Sequence, residues 1–83
     1  MQKMMGDEPN FLDVTGLLCP LPVLKIRKRL AEMLQGETLK VVASDPAAAI
    51  DVPHFCTEAG HQLTSYVNEN GTLHFKIRRA ASI

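Results

Sequence analysis

Cys19 stands in the tetrapeptide Cys19-Pro20-Leu21-Pro22, between a strand-like segment and an amphipathic helical one. That places a thiol at the amino end of a helix. Unpaired backbone N–H groups and the helix dipole favour negative charge there. The thiolate is the nucleophilic form of cysteine, so the position suits nucleophilic sulfur chemistry. Pro22 fits without strain at the first helical position, and Pro20 stiffens the approach. From these residues alone a reactive thiol and an inert, packed one both stay open, because free cysteines are commonly buried.

The other candidate groups read as structural. Cys56 shares an apolar helical stripe with Phe55 and Ala59. His54, Cys56 and His61 match none of the usual zinc spacings, and residues two apart on a helix point away from each other. No metal or cofactor is therefore expected. Asp45 and Asp51 suit a turn and a helix cap, and His61 follows Gly60 at a helix end, where a cation is favoured. Asp13, on the first strand near the cysteine loop, receives no assigned role. Lys25, Arg27, Lys28 and Arg29 gather positive charge in the first half of a helix, where the dipole prefers acids. They form either a solvated face or a docking surface, with Lys25 and Lys28 as the docking candidates.

The elements that must hold Cys19 follow from periodicity. Residues 1–10 are polar and methionine-rich and read as a flexible tail, with residues 11–83 as a single domain. Phe11 to Thr15 reads as a strand. Pro22 to Gln35 reads as a helix whose Val23, Ile26, Leu30 and Met33 recur at helical spacing, with Leu34 beside them and Gly36 as the stop. Thr38 to Ser44 reads as a second strand, completing a right-handed βαβ unit. A second helix is expected to start near Asp51, with Asp51 as its cap, Pro53 in its first turn and Gly60 at its end. A closing hairpin contains Asn70-Gly71. A two-residue turn would pair Tyr66 with Phe75 and mix the faces. A three-residue loop, Glu69 to Gly71, pairs Val67 with Leu73, Ser65 with Phe75 and Leu63 with Ile77, and is the expected register. Thr64, Tyr66, His74, Lys76 and Arg78 then face outward. The order βαβαββ predicts an α/β two-layer sandwich.

Eighty-three residues bury only about 60–65% of the unfolded surface, enough for one core layer but not a deep enclosed site. Nine basic and nine acidic residues cancel, which argues against direct nucleic-acid binding. Two cysteines are too few for a secreted disulfide framework. No apolar run approaches the roughly 18 residues that span a bilayer, so no membrane association is expected. A cytoplasmic, reducing setting follows, in which Cys19 stays a thiol.

Three segments together resemble a known family. They are Leu12-Asp13-x-x-Gly16-x-x-Cys19-Pro20-x-Pro22, then Gly36-Glu37-x-Leu39, and then Asp45-Pro46 with Asp51-Val52-Pro53-x-Phe55-Cys56 and Gly60-His61. The chain from Phe11 to about Ile77 is similar to the TusA/SirA family of small sulfur-carrier proteins. That resemblance implies a mixed four-stranded sheet, order 1-2-4-3, with both helices on one face. It implies a sulfurtransferase role in which Cys19 accepts sulfane sulfur as a persulfide. A cysteine desulfurase or rhodanese-like protein would be the donor and a further protein the acceptor. Family end points include thiolation of the tRNA wobble uridine, molybdenum-cofactor maturation and dissimilatory sulfur oxidation. Members tied to tRNA thiolation often carry a basic residue before the cysteine and an acidic one between the prolines. Here Leu18 and Leu21 occupy those positions and, with Pro20 and Pro22, form an apolar rim suited to a different partner. The alternative reading is a non-enzymatic interaction or regulatory module that retains the fold.

Overall fold

The computed structural model describes residues 10–80. Six elements follow in the order β1 (Phe11–Val14), α1 (Leu21–Ala31), β2 (Thr38–Ala43), α2 (Ala48–Ala59), β3 (Gln62–Glu69) and β4 (Thr72–Arg78). They form an α/β fold with a four-stranded mixed sheet, ordered β1-β2-β4-β3. β1 runs parallel to β2, whereas β2–β4 and β4–β3 are antiparallel. The topology is the one the family resemblance implied. Sheet pairing effectively begins at Asn10, whose carbonyl accepts the Lys40 amide at 2.8 Å. The rest of the expected tail, residues 1–9, lies outside the described residues.

One sheet face is buried. Val14, Leu39, Val41, Ala43, Leu73, Phe75 and Ile77 point into a core shared with Ile26, Leu30 and Met33 from the first helical segment. From α2 come Ala48, Val52, Phe55 and Cys56. The strict alternation of β2 and β4 sets this face, since side chains alternate sides with period two. No charged or polar residue is buried among the described residues.

Four expectations are corrected. α1 ends at Ala31 rather than Gln35, and Leu34 is 73% exposed. Its last turn tightens, with the Glu32 and Met33 amides donating three residues back to Arg29 and Leu30. Arg79, distant in sequence, donates through Nε to the Leu30 carbonyl at 2.6 Å and satisfies that helix end.

α2 starts at Ala48, not near Asp51, so Asp51 is not its cap and Pro53 lies inside the helix. The Ala48, Ala49 and Ile50 amides donate three residues back, to Asp45, Pro46 and Ala47. This tight first turn leads the helix in ahead of the proline. Gly60 ends it in the left-handed region, φ 83°, as expected.

The hairpin carries the two-residue turn instead of the three-residue loop: Glu69 pairs with Thr72, Val67 with His74 and Tyr66 with Phe75. Asn70 (φ 54°) and Gly71 (φ 91°) both take positive φ, the conformation that matches strand twist in tight hairpins. A bulge between Leu63 and Ser65 absorbs one residue, so Leu63 still opposes Ile77 on the buried face. Tyr66 therefore shares the inner face with Phe75, stacked at 5.1 Å between ring centroids, and Val67 is exposed.

Finally, Pro22 is the second residue of α1, not the first. Its missing N–H still falls where no intrahelical partner exists.

Candidate functional site

β1 and β2 are parallel, and their carboxyl ends open onto two adjacent loops, the region where open α/β sheets place their sites. Asp13 starts the first loop. Its Oδ1 accepts the Thr15 amide (2.9 Å) and hydroxyl (2.7 Å), and these bonds hold its carboxyl below the usual range. Asp13 is thus a turn residue. Leu17 packs against the core and anchors the loop from below.

The second loop straps the first. The Ser44 hydroxyl oxygen accepts the Gly16 amide at 2.8 Å. The Asp45 carboxylate accepts the Cys19 amide through Oδ2 at 2.7 Å and the Ala47 amide through Oδ1 at 3.1 Å. One side chain therefore ties the cysteine loop to the start of α2. The Cys19–Pro20 peptide is cis, and the Leu21 amide donates to the Leu18 carbonyl at 2.9 Å, closing a turn with Cys19 at its tip.

Cys19 is exposed and opens onto a groove of about 310 Å³ between the helices. Pro20, Val23 and Arg27 form one wall, and Asp51, His54, Phe55 and Glu58 the other. The Arg27 guanidinium lies 5.5 Å from the Phe55 ring centroid, joining the walls. A larger hollow, about 480 Å³, continues along the same helix pair past Phe55 towards His61 and Arg79. It holds no thiol, so the chemistry belongs to the smaller groove.

The electrostatics reverse one expectation. Cys19 was placed where a helix end would favour its thiolate. Instead its pKa is raised, with the neighbouring Asp51 carboxylate as the largest cause. Desolvation and the negative charges of Asp51 and Asp45 act in the same direction. The helix field fades within the first turn, and Cys19 lies two residues before α1. At neutral pH the group is a thiol.

Of the other anticipated residues, Leu18 and Leu21 are exposed at 67% and 46%, and Leu24, one turn on, at 50%. Leu18 and Leu21 flank the cysteine turn in sequence with exposed apolar side chains, and Leu24 extends that surface along α1. Pro20 reaches the groove, but Pro22 is buried and acts only through the backbone. Lys25 and Lys28 sit on the solvent side of α1, away from the groove, where Arg27 is the basic residue instead. Cys56 is buried, and desolvation pushes its thiol up to about 11. His54 stands on the exposed groove wall near Glu58, 3.7 Å away, whereas Cys56 is buried, so the two diverge. His61 is not a helix-end cation. Its Nδ1 accepts the Ala80 amide at 2.8 Å, and burial together with Arg79 lowers its pKa.

Asp51 is the residue that sequence reasoning misplaced, and Arg27 and Phe55 are the walls it missed. One signal for Asp51 was present: it and Asp45 both follow the strand that leads to the carboxyl edge of the sheet.

Comparison with known proteins shows the family and the fold. A family model described as sulfurtransferase TusA matches residues 10–79. The sulfur carrier protein TusA of Pseudomonas entomophila is 44% identical over 70 residues, covering 84% of this chain and 88% of the relative. That of Pseudomonas aeruginosa is 41% identical, covering 84% and 89%. The crystal structure of a SirA-like protein from Desulfitobacterium hafniense superposes with a TM-score of 0.75 at 25% identity, covering 84% of this chain and 96% of that one.

Proposed function

Because the chain belongs to the TusA family of sulfurtransferases, its role lies in sulfur relay, and from that premise we propose that it carries sulfur as a persulfide on Cys19. The observation that carries the reading is the contrast between the two thiols. Cys19 is exposed at the tip of a strapped turn, beside a groove, whereas Cys56 is buried among apolar side chains. A protein-bound persulfide can reach the first and not the second.

The reaction is a sulfur exchange of the thiol–disulfide type. The Cys19 sulfur attacks the outer sulfur of a donor's persulfide, the donor's S–S bond breaks, and the donor leaves as a thiol. A second exchange delivers the outer sulfur to an acceptor and regenerates Cys19. Donors of the cysteine desulfurase or rhodanese type supply that persulfide, and a further protein receives it. A cytoplasmic setting suits this, since reducing conditions keep Cys19 from forming a disulfide.

The surface around the thiol bears on the partner. Leu18, Leu21 and Leu24 present apolar area next to Cys19, and Lys25 and Lys28 continue the same side of α1. A partner with an apolar centre and an acidic margin fits this surface. Direct nucleic-acid contact is not part of the reading.

Incubation with a cysteine desulfurase and cysteine, followed by intact-mass analysis, tests it. The wild-type chain should gain the mass of one sulfur atom, lost again on reduction, and Cys19→Ser should gain none. No gain in wild type, or an equal gain in Cys19→Ser, overturns it.

A further inference from the structure

Both helices pack on one face of the sheet, and among the described residues the other face has no layer over it. We infer that this open face is a second docking surface, which takes a single amphipathic helix with acidic flanks from a partner protein. It lies apart from the Cys19 groove and does not depend on the sulfur chemistry.

The face is set by strand alternation. Between the core positions of β2 and β4, Lys40, Val42, His74, Lys76 and Arg78 point the other way. Phe11 of β1 pairs beside Lys40, and Val67 of β3 opposite His74. Both are exposed, at 43% and 52%. An open groove of about 370 Å³ runs between them and is lined from all four strands. The parallel pair β1–β2 borders it, and parallel strands are rarely left with one face uncovered.

Charge and size select the occupant. Lys40 stands directly opposite Lys76, and Arg78 follows on the same face. Like charges opposed across strands work against the sheet, so they suit a partner more than the fold. Among the described residues, no carboxylate lies within ion-pair distance of Lys76 or Arg78. The acids of this face are engaged elsewhere: Glu69 lies 3.5 Å from His74, and Asp13 accepts from Thr15. An acidic partner meets the basic groups, and its apolar side chains meet Phe11, Val42 and Val67. A second copy would set the same lysines and arginine against its own. A nucleic-acid strand brings phosphates but no aliphatic side chains for the valines. Four strands about 4.8 Å apart span ~15 Å, room for one helix of ~10–12 Å diameter. The seven residues of β4 extend about 23 Å, the length of ~15 helical residues. The strands here offer side chains and not free backbone, so the occupant must satisfy its own backbone hydrogen bonds, as a helix does.

A capped peptide of about 15 residues, with leucine at helical spacing and glutamate on both flanks, serves as the probe. Titrated into the isotope-labelled chain and followed by NMR, it should move the amide signals of Lys40, Val42, His74 and Lys76. Alkylation of Cys19 by iodoacetamide should keep its peptide-free rate, because the thiol lies outside this face. Affinity should fall several-fold when salt is raised from ~0.05 to ~0.3 M. Lys76→Glu should weaken binding about tenfold while the chain melts no lower than wild type. Lys76→Gln, which only removes the charge, should weaken it about threefold and decides the matter should the reversal disturb the fold. The inference is overturned by no shift at ~1 mM peptide, by shifts confined to α1 and α2, or by unchanged affinity in both variants. An oligouridine that binds this face more tightly than the peptide also overturns it, in favour of a nucleic-acid surface. So does a dimer in sedimentation that Lys76→Glu dissociates, in favour of an interface between copies.

Discussion

Replacing Asp45 by alanine removes a side chain that joins the cysteine loop to the start of α2. Its carboxylate accepts two amides, from Cys19 at 2.7 Å and from Ala47 at 3.1 Å. Hydrogen bonds to a charged group contribute about 1.5–3 kcal/mol each, and partial access to water puts these at or below the low end, so their joint loss should cost about 2 kcal/mol. For a domain of this size that corresponds to a fall in Tm of about 10 °C. Asp45→Asn keeps one neutral acceptor oxygen, and should lose about half as much, ~1 kcal/mol. The chain has no tryptophan, so melting is best followed by far-ultraviolet circular dichroism. Amide exchange by NMR localises the effect: the Cys19 and Ala47 amides should exchange faster in Asp45→Ala, while Phe75 in the central strand β4 stays protected. Removing the Asp45 charge should also make Cys19 easier to ionise, since that charge contributes to its raised pKa. An Asp45→Ala protein that melts within about 2 °C of wild type, with unchanged exchange at Cys19, would show that the strap carries no energy.

Two further outcomes follow from the titrating groups. Iodoacetamide should modify one cysteine in the folded chain and two in denaturant, read by intact mass, because Cys56 is buried with its thiol pushed up to about 11; Cys56→Ala should load sulfur as wild type does. His61 binds its proton less readily when folded, as burial and Arg79 lower its pKa, so the unfolded chain takes up more protons once pH falls below the ordinary histidine value near 6.5. Stability should therefore be fully present above about pH 6.5 and decline as pH falls from there through the folded value. Urea titrations at pH 7.5 and 5.5 check the sign, and His61→Phe should reduce the difference between them.

Much of the architecture was legible because β2, β4 and α1 carry strong periodicity. Leu39, Val41 and Ala43 alternate, and Ile26, Leu30 and Met33 keep helical spacing, so local pattern and burial agree. The hairpin was misread because an uninterrupted β3 cannot satisfy both the Asn70-Gly71 turn and the burial pattern. A bulge settles the conflict, and no residue type at Thr64 announces one. The start of α2 was misread because Pro53 argues for a late start, whereas a tight turn from Asp45 leads the helix in earlier. Cys19 itself stood out by its motif. Its surroundings did not, because Asp45 and Asp51 lie 26 and 32 positions away and their approach depends on the parallel pairing of β1 with β2. The same gap in sequence hid Arg79, which completes the end of α1 from beyond the last strand.

The bulge at Thr64 has a consequence beyond register. β3 is an outer strand of the sheet, and its free margin could template the strand of another molecule. The extra residue breaks the regular spacing of amides and carbonyls along that margin, and Thr64 turns its hydroxyl back to the Lys76 carbonyl at 3.2 Å. A foreign strand laid against β3 finds its ladder out of step within a few residues. The irregularity that keeps Leu63 over Ile77 thus also makes this margin a poor template for edge-to-edge pairing.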